Sequence, residues 1–294
     1  MDETSMVNAL ENAADSMGRR SALARADRLH IPVSVGGMGW SYEDWDGVFY
    51  PADATSKDWL RLYAQAFDAV EIDSTFYGTP RPATIRNWMQ ATPPGFVFCS
   101  KVPRLVTHEL GLRDAAAPLA QFIHAMAAMG ARRGPMLFQM PPSFTIADLP
   151  ALESLVPALR SLADPHAEFA IEFRHASLIV PDVFALLAEH NVALVASDYR
   201  TLPRRFARTA DFAYIRLIGR HGAFRQHRAI VSDRSASIRQ WADVLLRGQH
   251  ELSRAWIFCN NDYEGFAPAT CRRVQGALGV PARSYPCEAQ GSLF

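Results

Sequence analysis

Lysine is almost missing from this chain. Of its 30 basic residues only Lys57 and Lys101 are lysine, and the rest are arginine. The bias fits a GC-rich genome better than a mechanism, but it makes each lysine conspicuous. Excess charge is missing too: Lys+Arg and Asp+Glu both total 30, for a formal net charge of zero. That argues against a generally basic nucleic-acid coat protein and leaves room only for a local patch. No apolar run approaches the roughly 18 residues of a membrane span, so no membrane partner is expected. The first thirty residues hold Asp2, Glu3, Glu11, Asp15 and four arginines without an apolar h-region, so no secretory signal is expected. Cysteine is scarce: Cys99, Cys259, Cys271 and Cys287 are scattered without a C-x-x-C. A disulfide framework or structural zinc site is therefore not expected, and a reducing cytoplasm fits. G-x-S-x-G, a Walker loop, H-E-x-x-H and the flavin and nicotinamide fingerprints are all lacking. There is no repeat and no low-complexity tract.

What is present is a globular composition, 49% hydrophobic and 20% charged over 294 residues. Residues 1–30 read as an alanine-rich helical or disordered extension and 286–294 as a tail. Between them, over 31–285, short β-rich runs alternate with helical patterns. The strand candidates are 31–35, 69–73, 96–101, 135–139, 168–173, 192–197, 212–218 and 255–260. Helical patterns occupy 56–67, 82–90, 115–129, 147–163, 181–190, 235–248 and 265–278, and 201–210 is short enough for a single turn. Alternation of this kind indicates βαβ units and a parallel sheet. Eight units in about 260 residues fit a (β/α)8 TIM barrel better than a doubly wound sheet. The doubly wound fold would prefer a Gly-rich phosphate loop, of which Gly36-Gly37-Met38-Gly39 is a weak version. In a barrel the long loops 36–55 and 102–114 lie on the C-terminal face, where active sites are built.

Polar residues stand at nearly every expected strand end: Glu71 and Asp73, Lys101, Gln139, Glu172 with Arg174 and His175, Asp198, Arg216, and Asn260, Asn261 and Asp262. Period-two alternation puts Glu71 with Asp73, and Glu172 with Arg174, on common sides of their strands. If those sides face the axis, carboxylates and cations converge at one mouth; otherwise they cap the following helices. Lys101 has three readings: a point charge for an anion, a Schiff-base amine, or an ion-pair partner of Glu71 or Asp73. Arg104, Thr107 and His108 follow it on one loop. Glu172 could act as a general base or orient His175, and Arg174 could clamp a carboxylate or phosphate. His108, Glu172, His175 and Asp198 are acceptable metal ligands, but their spacing is nonspecific and neighbouring cations would repel a metal, so none is expected.

The stretch 199–230 carries eight arginines against Asp211 alone, with His221 and His227 in addition. It reads as a phosphate or polyanion surface, or as a solvated basic face. Trp40, Tyr42, Trp45, Phe49 and Tyr50, with Phe76 and Tyr77 after the second strand, could stack on a sugar or base. Such a group is more often a satellite core under a long loop.

These residues also carry a resemblance. Gly39-Trp40-Ser41-Tyr42 with Trp45 and Phe49-Tyr50-Pro51, Glu71 to Tyr77, Lys101-Val-Pro103-Arg104 with Thr107-His108, and Gly134-Pro135 through Gln139 to Pro141-Pro142 resemble the YecE-like family, also called domain of unknown function 72. So do Glu172-Phe-Arg174-His175, Ser197-Asp198, Tyr214-Ile-Arg216-Leu217, and Asn260-Asn261-Asp262 with Gly265. The likeness runs from about 33 to 280 and implies a TIM barrel. The family's reaction is not established, so it implies no activity, and the cofactor is unknown. Leu178 stands where the family usually has Trp. Ile218-Gly219 stands where Arg-Leu usually continues into His-Gly, so a role for that histidine does not carry over. The last residues, Gln290-Gly291-Ser292-Leu293-Phe294, resemble the bacterial sliding-clamp-binding peptide, with Gly291 departing from its pattern.

The resulting expectation is a TIM barrel whose cation-rich mouth binds or hydrolyses an anionic, phosphate-bearing ligand, a nucleotide or nucleic acid. As a hydrolase, Glu172 or Asp73 would activate water, Lys101, Arg174 and Arg216 would stabilise negative charge, and His108 or His175 would serve as acid. Trp40, Tyr77, Arg104, Gln139, Asn260 and Asn261 would contact substrate, with Glu71 and Asp198 among the catalytic candidates. The alternatives are a Schiff-base lyase using Lys101, and a non-enzymatic DNA-maintenance accessory held to the clamp by Gln290, Leu293 and Phe294.

Overall fold

The computed structural model describes residues 29–199 and 202–290. The expected N-terminal extension falls almost wholly outside them, as do Arg200, Leu293 and Phe294. Residues Pro286–Gln290 form a last helical turn.

All eight expected strands form: β1 (Val33–Gly37), β2 (Ala69–Ile72), β3 (Val97–Lys101), β4 (Arg133–Gln139), β5 (Phe169–Glu172), β6 (Val192–Leu194) continued as β7 (Ala196–Ser197), β8 (Phe212–Leu217) and β9 (Arg254–Cys259). Helices Trp59–Ala66, Pro82–Ala91, Ala116–Ala127, Leu149–Leu162, Pro181–Glu189, Ser235–Gly248 and Ala267–Leu278 fill the expected gaps. Their ends follow local chemistry. Proline opens the first turn of four of them, where its missing N–H costs nothing. Gly279, in the left-handed region at φ 67°, closes Ala267–Leu278. Between β7 and β8 no helix forms among the described residues. No helix among them is long and apolar enough to cross a membrane.

All pairings between strands are parallel, in two sheets ordered β1-β9-β8-β7 and β2-β3-β4-β5-β6. The sheets meet at two seams. At the first, consecutive amides diverge: Met38 N–H donates to Cys259 of β9 (3.1 Å) and Gly39 N–H to Glu71 of β2 (2.8 Å). The approach needs glycine, because a Cβ on Gly36 would lie 2.1 Å from the Ala69 carbonyl oxygen. At the second, one extended segment changes partner. Val195 N–H donates to Ile171 of β5 and Asp198 N–H to Arg216 of β8. The arrangement is TIM-barrel-like, with the strands in sequence order and their C-terminal ends at one mouth.

The larger apolar core lies between strands and helices, and a smaller one fills the interior. Inside, Phe212, Tyr214, Trp256 and Phe258 from β8 and β9 meet Ala69, Cys99, Ala170 and Ala193 from β2, β3, β5 and β6. Large residues on one side and small ones on the other fill the interior as a packed core rather than a pore. The same alternation then carries polar side chains one step higher. Glu71 follows Ala69, Lys101 follows Cys99, Gln139 follows Leu137, Glu172 follows Ala170 and Arg216 follows Tyr214.

Candidate functional site

The lowest polar layer is a buried charge cluster centred on Arg216. Its Nε and Nη2 donate to Glu71 Oε2 and Oε1 at 3.0 and 2.7 Å, and its Nη1 donates to Glu172 Oε2 at 2.5 Å. Nη1 also reaches Gln139 Oε1 at 3.3 Å. Arg216 is 3% exposed and both carboxylates are fully buried. The Tyr214 hydroxyl gives Glu71 a further donor at 2.7 Å. Glu172 also accepts from the Ser197 hydroxyl (2.5 Å) and Arg174 Nη2 (2.9 Å).

The two carboxylates titrate in opposite directions. Burial raises Glu71, and Arg216 only partly counters it. Burial also pushes Glu172 up, but Arg216, Arg174 and the Ser197 hydrogen bond outweigh it, so Glu172 is held below the ordinary range. Glu172 is thereby a saturated anion, unsuited to the general-base role expected for it.

Above this layer opens a cavity of ≈970 Å³ lined by Asp73, Lys101, Gln139, Arg174, Asp198 and Arg216, among others. Asn260 and Asn261 also border it, so eight of the expected site residues share one cavity. Thr75 fixes the end of β3: its hydroxyl accepts from Lys101 N–H (3.0 Å) and donates to the Lys101 carbonyl (2.7 Å). The Lys101 ammonium lies 3.7 Å from Asp73 Oδ1 and 4.3 Å from the Phe76 ring centre. Burial lowers the Lys101 pKa against the upward pull of Asp73. Arg174 stacks 4.1 Å over the Tyr199 ring, and among the described residues its Nε has no hydrogen-bond partner.

Asp198 is bound on three sides, by Arg204 Nε (2.9 Å), the Ser237 hydroxyl (2.6 Å) and the Tyr263 hydroxyl (2.6 Å). Burial raises its pKa, but those hydrogen bonds bring it below the ordinary range. Asn260 Oδ1 accepts from Gly219 N–H (3.1 Å). Asn261 Oδ1 accepts from the Trp45 indole (3.2 Å) and Ala267 N–H (3.0 Å), so it braces the loop after β1 against the last long helix.

Five expected site residues lie neither on this cavity nor in the charge cluster beneath it. His175 turns outward, where Nδ1 accepts from Ser177 N–H (3.3 Å) and caps the short turn Ala176–Leu178. The reason is parity: Glu172 and Arg174 face in, so the next residue faces out. Tyr77 is 85% exposed. Arg104 pairs with Glu109 at 3.4 Å on the surface. Trp40 packs edge-on against Trp88 at 5.9 Å, beside the core. His108 sits edge-on to Phe76 at 4.9 Å, behind the ring that underlies Lys101. Burial, with Lys101 and Arg104, lowers its pKa, which suits a neutral imidazole rather than an acid.

Two broader expectations also resolve. Trp45, Phe49 and Tyr50 are fully buried against Tyr63, Trp59 and Phe67, so most of that aromatic group is core, while Tyr42 lines the cavity. The described arginines of 199–230 do not form one face: Arg204, Arg216 and Arg220 line the cavity, and others lie apart from it. Arg208 pairs with Glu251 below the foot of β9, Arg205 lies over Phe184, Arg228 donates to the Asp46 carbonyl, and Arg216 is buried.

The site also holds residues outside the expected set. Tyr214 and Ser197 share the inward parity of Arg216, a signal the sequence carried. His227 borders the cavity from a loop, where no periodicity marks it, and Asp262, noted only as a polar strand end, borders it from the short turn of helix Asn261–Glu264. Among the described residues no group of three or more His, Cys, Asp or Glu is arranged to hold a metal ion.

The geometry has counterparts. A DUF72 family protein from Thermotoga maritima MSB8 superposes with a TM-score of 0.71 at 27% identity, covering 85% of this chain and all of that one. One from Enterococcus faecalis V583 does so with a TM-score of 0.66 at 20% identity, covering 86% and 99%, a likeness of fold. By sequence, the UPF0759 protein YecE of Escherichia coli (strain K12) is 30% identical over 143 residues, 49% of this chain and 48% of the relative. The UPF0759 protein YunF of Bacillus subtilis (strain 168) is 28% identical over 123 residues, 38% and 41% of the two. The matches thus span about half the length of these curated relatives or less. The family described as "Protein of unknown function DUF72" matches residues 34–290, nearly all of the described structure, and this chain belongs to it.

Proposed function

We propose that the cavity binds a small anionic ligand, a phosphate ester, with Lys101 and Arg174 as the groups that hold its charge. One observation carries the reading: the carboxylates beneath are saturated by Arg216, Tyr214, Ser197 and Arg174, whereas two of the cations that line the wall, Lys101 and Arg174, keep donors unmet. Lys101 has one ion pair at 3.7 Å, beyond hydrogen-bond length, and Arg174 Nε is buried and unpartnered among the described residues. A desolvated cation with spare donors is a site for an anion, and the guanidinium fork matches phosphate geometry. The concave shape favours a small molecule over a duplex, and the described arginines of 199–230, three at the cavity and others apart from it, supply no continuous track for one. If the ester is hydrolysed, Asp73, 45% exposed in its side chain and facing the cavity, is the carboxylate placed to activate water.

Calorimetric titration with inorganic phosphate and simple phosphomonoesters tests this. Phosphate should bind, and Lys101→Ala and Arg174→Ala should each weaken it by about tenfold or more. No binding at millimolar phosphate, or equal binding by the variants, would sink the reading.

A second reading has its own observation. The desolvated Lys101 amine beside Asp73 suits Schiff-base formation with a carbonyl substrate. Borohydride trapping with a panel of aldehydes and keto acids should then label Lys101. No adduct with any of them removes it.

A further inference from the structure

We propose that His227 and Asp262 form a hydroxyl-binding subsite in the same cavity, so that its ligand is a polyhydroxylated phosphate ester such as a sugar phosphate. The inference rests on the anion reading for the position of the phosphate and adds the group that recognises the rest of the molecule.

Three separate elements build the subsite: Asp44 from the loop after β1, His227 from the loop after β8, and Asp262 from the turn after β9. His227 N–H donates to Asp44 Oδ2 at 2.9 Å, and the ring Nδ1 lies 3.4 Å from the same oxygen. The imidazole is thus pinned on its Asp44 side, which leaves Nε2 turned toward Asp262. Asp262 is 8% exposed. Its Oδ2 accepts from Gly222 N–H at 3.1 Å and stands 3.8 Å from Nδ1 of the exposed His221. Its Oδ1 lies 3.5 Å from His227 Nε2. Neither Oδ1 nor Nε2 makes a hydrogen bond among the described residues, although both are buried.

Two buried polar atoms left open side by side call for a partner. An ionised carboxylate oxygen only accepts, whereas an imidazole nitrogen accepts or donates with its protonation. A group that completes both carries a donor and lone pairs on the same atom, as a hydroxyl does. Both side chains border the cavity that Lys101 and Arg174 also line. Asp262 follows β9 and Asp44 follows β1 in one sheet, whereas Lys101 and Arg174 belong to the ends of β3 and β5 in the other. One ligand in that cavity can therefore present phosphate to one sheet and hydroxyls to the other. Tyr42 and Tyr199 also line the cavity and offer aromatic surface to a sugar ring.

The test is calorimetry on the full chain with three probes: inorganic phosphate, a pentose 5-phosphate and the free pentose. The pentose phosphate should bind about tenfold or more tighter than inorganic phosphate, one well-placed hydroxyl being enough for that gain. Asp262→Asn and His227→Phe should each bring the ratio close to one. Asp44→Ala, on a more exposed residue, should reduce it by releasing the imidazole, and it remains informative if the Asp262 variant fails to fold. The subsite is overturned if the ester binds no tighter than inorganic phosphate, or if its advantage persists in all variants. If inorganic phosphate fails to bind, the anion reading falls by itself. The subsite then still stands if the free pentose binds and the variants abolish it, and falls if the free pentose does not bind.

Discussion

Arg216 grips Glu71 through two nitrogens, at 3.0 and 2.7 Å, although 145 positions of chain separate them. The pair joins β8 to β2 across the interior, and Nη1 extends the link to Glu172 on β5. Three strands from two sheets are thereby tied by one guanidinium.

Arg216→Met should therefore be severely destabilising. It leaves two buried carboxylates without their main counter-charge, which typically costs about 3–5 kcal/mol. Arg216→Lys should recover only part, because an ammonium cannot reproduce the forked contact. Urea denaturation midpoints measure both. A loss below about 1 kcal/mol in the methionine variant would show that the cluster does not hold the strands together.

The opposite titrations of Glu71 and Glu172 give a sign test. The Glu71 pKa is raised in the fold. Its stabilising contribution is full below the unfolded value of about 4.3 and is lost as pH rises through the folded value. The Glu172 pKa is lowered. Its contribution is present above about 4.3 and is lost as pH falls through its folded value. Glu172→Gln should flatten the acid limb of the stability profile, and Glu71→Gln should remove a decline on the alkaline side of that point. Unfolding free energies at a series of pH values check both slopes, and unchanged slopes would contradict the assignment.

Having only two lysines makes the amine chemistry readable. After reductive methylation with labelled carbon, the Lys101 resonance should titrate below the ordinary lysine value of about 10.4, because burial disfavours its charge. Asp73→Asn should lower it further, since Asp73 is the nearest group that raises it. A rise in that variant would refute the pairing.

Two glycines should respond in opposite senses. A Cβ on Gly219 would lie 1.5 Å from the Asp262 carbonyl oxygen. Gly219→Ala must therefore displace the turn that carries Asn260 and Asp262, at a cost of about 1–3 kcal/mol. Gly276, within the helix Ala267–Leu278, has nothing within 4 Å of a new Cβ. Gly276→Ala should stabilise by about 0.5–1 kcal/mol, since alanine loses less backbone freedom in a helix. Thermal unfolding of the two variants is the measurement.

Much of the fold was legible in the sequence because strand and helix periods differ, and all eight strands and seven long helices fall where the pattern puts them. Part of the site was legible for the same reason. Alternation assigns Glu71 and Asp73, or Glu172 and Arg174, to one side of a strand, and it also assigns His175 to the other, against the role expected for it. Tyr214 and Ser197 could have been found from the parity of Arg216.

What alternation leaves open is which inward residue meets which, because contact depends on register and curvature across strands far apart in the chain. The pattern offered Glu71, Glu172 and Arg216 as candidates for one mouth, but only the tertiary fold made one guanidinium the partner of both carboxylates and set Lys101 and Arg174 on the cavity wall. The same holds for Asp44, His227 and Asp262. Asp44 and His227 lie in loops without periodicity, and the meeting of all three was decided by how those two loops and the turn after β9 pack over the strand ends.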